Sequence, residues 1–390
     1  MDAPQSHEPI AAVLTPAARG AVAVVRVVGP GAVAACDRHF QAASGRTVAE
    51  AEQGRILFGR WIAEPSSNDD GAGEELVVCR RSLDDVEIHC HGGIAATSAV
   101  CDALASDGCR IVSAAELLRT LETDAMVAEA AEALAKATTN RAASILLDQH
   151  AGALRREIDH LRSLLTEGAY DEARSRIESL LARAAVGLRL TVPYRVVLAG
   201  PPNVGKSSLL NALVGHERAL VFDRPGTTRD VVTSHAVFDG VAVELADTAG
   251  VRESTDALET SGIAAAAAQK RAADLIVLVF DQSNSWTSAE AALLHSHPQA
   301  IVLFNKSDRP LSEDQETAAM PRPTGIRASA LTGAGLEQLT QAIVQRLIPT
   351  PAPAGAAVPF TPRQTELLTA AAEAIDVGNF DQAERSLARL

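Results

Sequence analysis

The chain has 390 residues, of which 47% are hydrophobic, so two or three domains with packed cores are expected. Its formal net charge of −14 argues against broad nonspecific binding to nucleic acid or to an acidic membrane, and does not exclude a local basic patch. The odd count of five cysteines, without a CxxC pair, signal peptide or bilayer-long apolar run, predicts a cytoplasmic protein with reduced thiols and no membrane contact.

Residues 1–113 mix the patterns of strands and helices. Valine-rich or alternating runs predict strands over Ala21–Val28, Glu75–Cys79 and Val86–Cys90, and a helix is expected from Ala95 to Ser106. This mixture predicts a small α+β domain at the start of the chain. His89 and His91 fall on one face of the last predicted strand. No third ligand is evident, so we favour a packing role for them over metal binding.

Residues 114–190 show a helical period, which predicts the first part of a helical domain. Leu154, Ile158, Leu161 and Leu165 follow at i, i+4, i+7 and i+11, which is one apolar stripe of a helix. The pattern continues in a further predicted helix at Ile177, Leu180, Leu181 and Ala184.

A second helical segment, residues 360–390, follows a linker rich in proline and alanine at residues 349–359. Thr361, Pro362 and Gln364 predict a helix start, with a threonine cap, a proline at the first position and a glutamine after it. Helical segments therefore flank residues 191–348, and the simplest architecture inserts that central domain into a helical one.

The turn at Gly168–Ala173 has an echo at Gly378–Ala383, where glycine, an aromatic residue, aspartate and alanine return in the same order. Turns of helical hairpins in repeat proteins often read this way. Two copies this far apart are too few to predict a solenoid.

The central segment opens with Gly200–Ser207, which reads Gly-Pro-Pro-Asn-Val-Gly-Lys-Ser between a predicted strand, Tyr194–Ala199, and a predicted helix, Ser207–Leu213. In this setting the spacing predicts a phosphate-binding loop, because successive backbone N–H groups point at one spot beside a helix N-terminus. Lys206 then reaches the outer phosphates, and the Ser207 hydroxyl holds magnesium. A glycine-proline turn entering a helix is the alternative, which the downstream motifs disfavour.

The next motif, Asp247-Thr-Ala-Gly250, follows the strand-like run Val241–Ala246. An aspartate at a strand end holds magnesium through water, and the Gly250 N–H faces the terminal phosphate. Another apolar strand is predicted over Leu275–Phe280.

The last two motifs select guanine. Asn305-Lys-Ser-Asp308 follows the predicted strand Ala300–Phe304. The Asp308 carboxylate can accept hydrogen bonds from the guanine N1–H and exocyclic amine, a donor pair that adenine lacks. The stem of Lys306 covers the base plane, and a backbone N–H in Ser329–Leu331 meets the guanine O6. In this order the motifs predict a GTPase.

We therefore predict an α/β P-loop GTPase domain at residues 191–348, with a mostly parallel sheet and helices on both faces. The predicted GTP-binding residues lie in loops after successive strands: Asn203, Val204, Gly205, Lys206, Ser207, Ser208, Asp247, Thr248, Ala249, Gly250, Asn305, Lys306, Asp308, Ser329 and Ala330.

Two segments carry a more specific resemblance. Gly226–Asp230 reads Gly-Thr-Thr-Arg-Asp, and Asp247–Glu253 reads Asp-Thr-Ala-Gly-Val-Arg-Glu. In this order they resemble the switch segments of the MnmE (TrmE) family of tRNA-modification GTPases. Thr15, Arg26 and Glu87–Gly93 resemble residues of the family's N-terminal folate-binding domain. The similarity is strong over the GTPase segment, moderate over the first 112 residues and weak over the helices.

The resemblance implies two cations beside GTP or GDP. Thr228 would contact magnesium together with Ser207, and Thr227 would join Asn203 at a potassium ion that neutralises developing charge. In the family this potassium site is completed when two GTPase domains face each other, so a homodimer is implied. Arg224, in a loop that departs from the family's wording, places positive charge near the ion, and the need for potassium stays open.

The resemblance also implies a catalytic role for Glu253. Val251 stands where many small GTPases carry a glutamine that orients the attacking water, which valine cannot do. The Glu253 carboxylate would orient that water directly or through a second water. The alternative is a solvated glutamate of a switch loop.

Outside the GTPase segment, the resemblance implies one-carbon chemistry on tRNA. Arg26 and Glu87 would contact a reduced folate, while tRNA and the family's FAD-dependent partner protein would complete wobble-uridine modification. A structural pairing of Arg26 with an acid is an equal alternative.

The chain departs from the family in two places. It ends at Ser386–Leu390 without the Cys-Ile-Gly-Lys tail, so that the C-terminal helices look truncated, and two family lysines are missing, one of them after Arg110. Two hypotheses follow: an MnmE-type GTPase in tRNA wobble-uridine modification, or a regulatory GTPase switch that has lost folate and tRNA chemistry.

Overall fold

The computed structural model describes residues 8–15, 20–63, 73–122, 124–216, 233–247, 273–310 and 321–390. The chain divides into two compact units, Met1–Ala128 and Glu129–Leu390.

A seven-stranded sheet forms the centre of the described part of the first unit. Its elements in chain order are β1 Ile10–Val13, β2 Val22–Val28, α1 Ala32–His39, β3 Phe40–Ala42, β4 Ile56–Trp61, β5 Glu74–Ser82, β6 Asp85–His91, α2 Ile94–Ser106, β7 Arg110–Ile111 and α3 Ala114–Leu121. The strand order is β3-β4-β5-β6-β2-β1-β7, antiparallel except for the β1–β7 pair. Alternate residues along the strands are buried, and they pack with α1 and α2 into one core.

The strands predicted from sequence in this unit are confirmed as β2, β5 and β6, and the predicted helix is confirmed as α2. The structure adds β1, β3, β4 and β7. Three of these have only 4, 3 and 2 residues, too few to show an alternating period. The fourth, β4, exposes Ile56 and Phe58, so its apolar residues lie on both faces and hide the alternation.

Helix α3 lies within the first unit and packs against β1. Its Leu117 is fully buried in a small cluster with Ile10 and Ala12 of β1. The first unit reaches Ala128, whereas the sequence predicts a boundary after residue 113. A helical period gives the buried face of a helix and does not tell which element covers that face, and the boundary after residue 113 stays a prediction.

A six-stranded sheet lies in the second unit. Its strands are β8 Tyr194–Ala199, β9 Thr233–Phe238, β10 Val241–Asp247, β11 Leu275–Asp281, β12 Ile301–Asn305 and β13 Ile326–Arg327. The order is β13-β12-β11-β8-β10-β9, parallel except for the antiparallel β9–β10 hairpin. The described helices after these strands are α8 Lys206–His216, α9 Ser288–Ser296 and α10 Leu336–Leu347. Apolar cores lie on both sides of the sheet, as the predicted α/β class requires.

The helical part of the second unit comes from two stretches of chain on either side of this sheet. The described helices are α4 Ala125–Leu134, which crosses the division between the units, α5 Asn140–His150, α6 Ala153–Glu167, α7 Tyr170–Gly187, α11 Pro362–Asp376 and α12 Phe380–Ala388. The predicted stripe of α6 is confirmed, because Leu154, Ile158, Leu161 and Leu165 are all buried. The predicted start of α11 is also confirmed: Thr361 and Gln364 form a reciprocal capping box.

Two helical hairpins, α6–α7 and α11–α12, pack side by side, with α7 against α11 and α6 against α12. Their turns meet where Tyr170 and Phe380 stack. Ion pairs join both seams: Arg162 contacts Glu384 at 2.8 Å, and the Arg174 side chain contacts Asp376 at 2.8 Å. The sequence repeated at Gly168–Ala173 and Gly378–Ala383 thus forms the turns of two hairpins that pack together.

The linker between α10 and α11 is held against the helices. The buried Gln149 side chain donates to the Ala356 carbonyl at 3.0 Å and accepts from the Val358 N–H at 3.1 Å. Arg183 donates to the Ala357 carbonyl at 2.6 Å. At Gly187 a Cβ would lie 1.8 Å from the Pro359 carbonyl oxygen, so this close approach requires glycine.

Among the described residues, none of the helices combines the length and the apolar character that a bilayer crossing requires.

Candidate nucleotide-binding site

The predicted motifs meet at one edge of the second-unit sheet. Strands β8, β10, β11 and β12 run parallel, so the loops after them emerge together. The first of these loops crosses close over β11: a Cβ at Gly200, whose φ is +148°, would lie 2.1 Å from the Val279 carbonyl oxygen. Only glycine permits this path, which brings the loop across the sheet edge.

The loop Gly200–Ser207 wraps into the start of α8. Asn203 and Gly205 adopt positive φ angles of 61° and 90°, which turns successive backbone groups toward one side. Lys206, the first residue of α8, is 6% exposed, and its ammonium donates to the Gly200 and Pro201 carbonyls at 3.2 and 2.8 Å. The lysine charge is therefore held inside the curve of the loop.

Ser207 and Asp247 lie side by side. The Ser207 hydroxyl donates to a carboxylate oxygen of Asp247 at 2.6 Å, and Asp247, the last residue of β10, is 3% exposed. Magnesium prefers oxygen ligands of these two kinds. The pair therefore fits a magnesium ion beside the phosphate loop, while Val204 is buried under the loop and Ser208 is exposed at the start of α8.

The buried Asn305 amide ties three loops together. Its nitrogen donates to the Val204 carbonyl at 2.9 Å, and its oxygen accepts from the Ala330 N–H at 3.1 Å. The next residue, Lys306, donates its ammonium to the Asn203 carbonyl at 2.7 Å. The phosphate loop, the loop after β12 and the loop after β13 are thus fixed relative to one another.

Asp308 stands at the open side of this junction. The hydroxyl of the fully buried Ser329 donates to its carboxylate at 2.5 Å. This hydrogen bond from Ser329 holds the pKa of Asp308 below its ordinary value, so the group is ionised at neutral pH. An ionised carboxylate with one oxygen fixed by serine is an acceptor for paired N–H donors.

Comparison with known proteins bears on both units. A family model described as "50S ribosome-binding GTPase" matches residues 195–306, and one described as "GTP-binding protein TrmE N-terminus" matches residues 9–119. The tRNA modification GTPase MnmE of Parasynechococcus marenigrum is 36% identical over 95% of this chain and 88% of its own length. The chain belongs to the MnmE family of tRNA modification GTPases. The MnmE of Geobacillus kaustophilus is 34% identical over 86% of this chain and 80% of its own length.

Family membership confirms the predicted resemblance, the P-loop GTPase fold and the assignment as an MnmE-type GTP hydrolase. The match extends over the N-terminal segment as well as the GTPase segment, which favours the main functional hypothesis over a switch that has lost its chemistry.

Several residues predicted for the MnmE-type site lie outside the described residues. They are Thr227 and Thr228 of the first switch segment and Thr248, Ala249, Gly250 and Glu253 of the second, and Arg224 lies outside them too.

Arg26 and Glu87, the residues predicted to contact folate in the N-terminal segment, are cross-strand neighbours on β2 and β6. Arg26 makes a bidentate pair with Asp85, with N–O distances of 3.0 and 2.7 Å. Hydrogen bonding to Asp85 raises the pKa of Arg26. This is the structural pairing with an acid that the sequence leaves open, and Glu87 has weaker contacts, 3.6 Å from His89 and 3.8 Å from Arg81.

No group of three or more histidine, cysteine or acidic residues in the part of the chain that the structure describes is placed to hold a metal ion. His89 and His91 each contact a glutamate, Glu87 and Glu74 respectively.

One residue in contact with these motifs is missed by the sequence analysis. Asp281 ends β11, is 6% exposed and binds Lys306 at 2.7 Å. The available signal is its position: a lone carboxylate follows an apolar parallel strand directly, at the sheet edge where ligands bind.

Proposed function

We propose that the chain hydrolyses GTP at this sheet edge and that hydrolysis serves wobble-uridine modification of tRNA. The observation that supports the proposal is the junction formed by Asn305, which bonds the phosphate loop at Val204 and the Ser329–Ala330 loop at once. One edge thus offers a phosphate cradle and, beside it, a carboxylate suited to guanine.

For the phosphates, we propose that Lys206 and the backbone N–H groups of residues 203–208 bind the triphosphate, together with Thr248, Ala249 and Gly250. Ser207 and Thr228 would ligate magnesium, and Asp247 would hold it through water. The 2.6 Å contact between Ser207 and Asp247 supports this assignment. Held by Ser207 and Thr228, a magnesium ion would neutralise negative charge that develops during phosphoryl transfer.

For the base, we propose that Asp308 accepts the N1–H and exocyclic amine of guanine and that a backbone N–H in the Ser329–Leu331 loop meets O6. The buried Ser329 hydroxyl orients Asp308 for this. Adenine would leave the carboxylate unpaired beside a polar edge. A site built to accept hydrogen bonds from a donor pair rejects a base that lacks the pair, here adenine, by about 10⁴-fold or more.

For hydrolysis, we propose that Glu253 orients the attacking water and that Asn203 and Thr227 hold a potassium ion when two GTPase domains face each other. Asn203 has a positive φ and stands at the exposed outer bend of the loop. This exposed position supports its proposed role in holding the ion. A homodimer formed in the GTP state would then be the hydrolysing species. Family membership supports this arrangement.

For the wider reaction, we propose that tRNA, a reduced folate and an FAD-dependent partner protein act with this chain in the cytoplasm. The match of residues 9–119 to the TrmE N-terminus supports a folate role for that segment. The engagement of Arg26 by Asp85 makes Glu87 the freer of the two proposed contacts. We also propose the division into residues 1–113, 114–190, 191–348, 349–359 and 360–390 as functional segments.

The test compares GTP and ATP hydrolysis in potassium and in sodium, with dimerisation followed by light scattering in the presence of GDP and aluminium fluoride. We expect hydrolysis of GTP alone, faster in potassium, with dimers only when the mimic is bound. Equal hydrolysis of ATP, or none of GTP, would contradict the proposal. Equilibrium binding of a reduced folate tests the folate role: tight binding supports it, and none supports the regulatory-switch alternative.

A further inference from the structure

A buried carboxylate outside the predicted motifs links the turn after β11 to the base side of the site. One oxygen of Asp281 accepts from the Ser283 backbone N–H at 2.9 Å and from its hydroxyl at 2.6 Å. The other oxygen accepts from the Lys306 ammonium at 2.7 Å. Burial alone would raise the pKa of Asp281, but the hydrogen bonds from Lys306 and Ser283 outweigh it and lower the pKa. The carboxylate is thus a fixed negative charge.

Lys306 joins two unusual backbone positions. Its own φ is 62°, and its ammonium bonds the carbonyl of Asn203, whose φ is 61°. Left-handed backbone at residues other than glycine is strained and persists only where surrounding contacts determine it. One ammonium held between Asp281 and the Asn203 carbonyl provides such contacts for both positions.

The turn that carries Asp281 is itself held from its far end. Arg322 donates to the Gln282 and Asn284 carbonyls at 3.1 and 2.6 Å. Its guanidinium lies 4.7 Å from the ring centroid of Phe304 on β12. The carboxylate therefore stands on a braced turn and cannot follow the lysine if the lysine moves.

We propose that Asp281 is a positioning residue for guanine nucleotides that acts through Lys306. This inference rests on the proposed GTP site. The carboxylate holds the ammonium at the Asn203 carbonyl, so that the aliphatic stem of Lys306 lies across the place of the base. Without that negative charge the ammonium is better solvated in water, and the stem leaves the base while the phosphate loop loses a contact.

A purely structural ion pair predicts a different outcome. It would lower the free energy of unfolding of the nucleotide-free chain and leave the Kd of the folded chain unchanged. A positioning residue changes the Kd, and it does so only while the lysine it positions is present. The Kd of the folded chain therefore separates the two roles, and a double-mutant cycle on Kd tests whether the effect of Asp281 passes through Lys306.

The experiment uses the full chain and measures the Kd of a fluorescent GDP analogue and the kinetics of GTP hydrolysis. For Asp281→Asn we expect Kd and KM to rise about tenfold, the scale of one charge-assisted hydrogen bond, with a much smaller change in kcat. Lys306→Met should also weaken binding. In the Lys306→Met background, Asp281→Asn should cause no further loss.

Asp376→Asn is the matched control, because it removes a carboxylate from an ion pair with Arg174 in the helical part; it should leave Kd unchanged. If the unaltered chain does not bind the GDP analogue, the proposed function fails. If the unaltered chain binds and Asp281→Asn binds equally well, or if the two substitutions weaken binding independently, the positioning role is overturned. Should Asp281→Asn fail to fold, Ser283→Ala decides: weaker binding supports the role, and unchanged binding overturns it.

Discussion

Tyr170 and Phe380 stack face to face, with ring centroids 3.5 Å apart and an interplanar angle of 3°. Each is the first residue of the second helix of its hairpin, α7 and α12. The entire GTPase sheet lies between them in sequence. The contact therefore joins the two stretches of chain that form the helical part.

Removing this stack should weaken the helical part. We expect Phe380→Ala and Tyr170→Ala each to lower the free energy of unfolding by roughly 2 kcal/mol, less than for a fully buried ring because both are half-buried. The double variant should show coupling of about 1 kcal/mol. Urea unfolding followed by far-ultraviolet circular dichroism measures both. Val377→Ala, at a position that is 79% exposed beside the same turn, is the control and should change little. If the losses in unfolding free energy of the two single variants simply added in the double variant, the stack would make no contribution of its own.

Asp247→Asn tests the magnesium assignment. Replacing a carboxylate that holds the ion through water should raise the magnesium concentration needed for half-maximal GTP hydrolysis by about tenfold or more. GDP binding in a chelator should stay near that of the unaltered chain. Asp239→Asn, in the exposed turn of the same hairpin, serves as the control. An unchanged magnesium titration would remove Asp247 from the site.

Asp308→Asn tests base recognition. The amide can donate to the C2 carbonyl of xanthine and still accept from its N1–H, whereas it opposes the guanine amine with a donor of its own. We expect GDP affinity to fall by about a hundredfold or more and xanthosine diphosphate to bind better than to the unaltered chain. Competition between the two nucleotides measures the exchange. A parallel loss of both would indicate that Asp308 only supports the loop.

Glu253→Ala should abolish GTP turnover while nucleotide still binds, because the water then lacks its orienting carboxylate. Single-turnover hydrolysis and binding of a fluorescent GDP analogue measure the two properties separately. Turnover equal to that of the unaltered chain would exclude Glu253 from the hydrolysis step.

Asp107 should give the first unit an acid-sensitive contribution to stability. Burial raises its pKa, but a 2.7 Å hydrogen bond from Arg38 and the nearby His39 ring outweigh burial, and the net pKa is lowered from 3.8. A carboxyl with a lowered folded pKa stabilises the fold above its unfolded pKa and loses that contribution as pH falls through the folded value.

We therefore expect the unfolding free energy of this unit to fall below about pH 4. Asp107→Asn should lower stability at neutral pH and flatten that decline. Fluorescence of Trp61, which stacks on His39, reports on this unit in a Trp286→Phe background. Asp102→Asn, at an exposed position on α2, is the control. An identical acid decline in the Asp107 variant would show that the contribution comes from other groups.

The meeting of the described motifs at one sheet edge could be predicted from sequence because each motif is local. Gly200–Ser207, Asp247 and Asn305–Asp308 each lie at or directly after the end of a strand, and parallel strands bring such segments to one edge without further information. The buried stripe of α6 follows from spacing for the same reason.

The contacts that depend on tertiary arrangement could not be read this way. Tyr170 and Phe380 are visible as an echo in the sequence, but nothing local says that the two turns touch. Asp281 sits alone after its strand, and its meaning depends on where Lys306 points. The sequence around Leu117 shows a helical period, but it does not indicate that Leu117 packs against β1.

The four bonds that Asp148, Gln149 and Arg183 make to residues 355–358 give the proline-rich connection a fixed end. A linker of that composition would ordinarily allow the sheet and the helices to move independently. Here the pivot for any rotation of the sheet against the bundle is confined to residues 349–354 on that side. A displacement of the sheet would consequently act on the helices through this short connection.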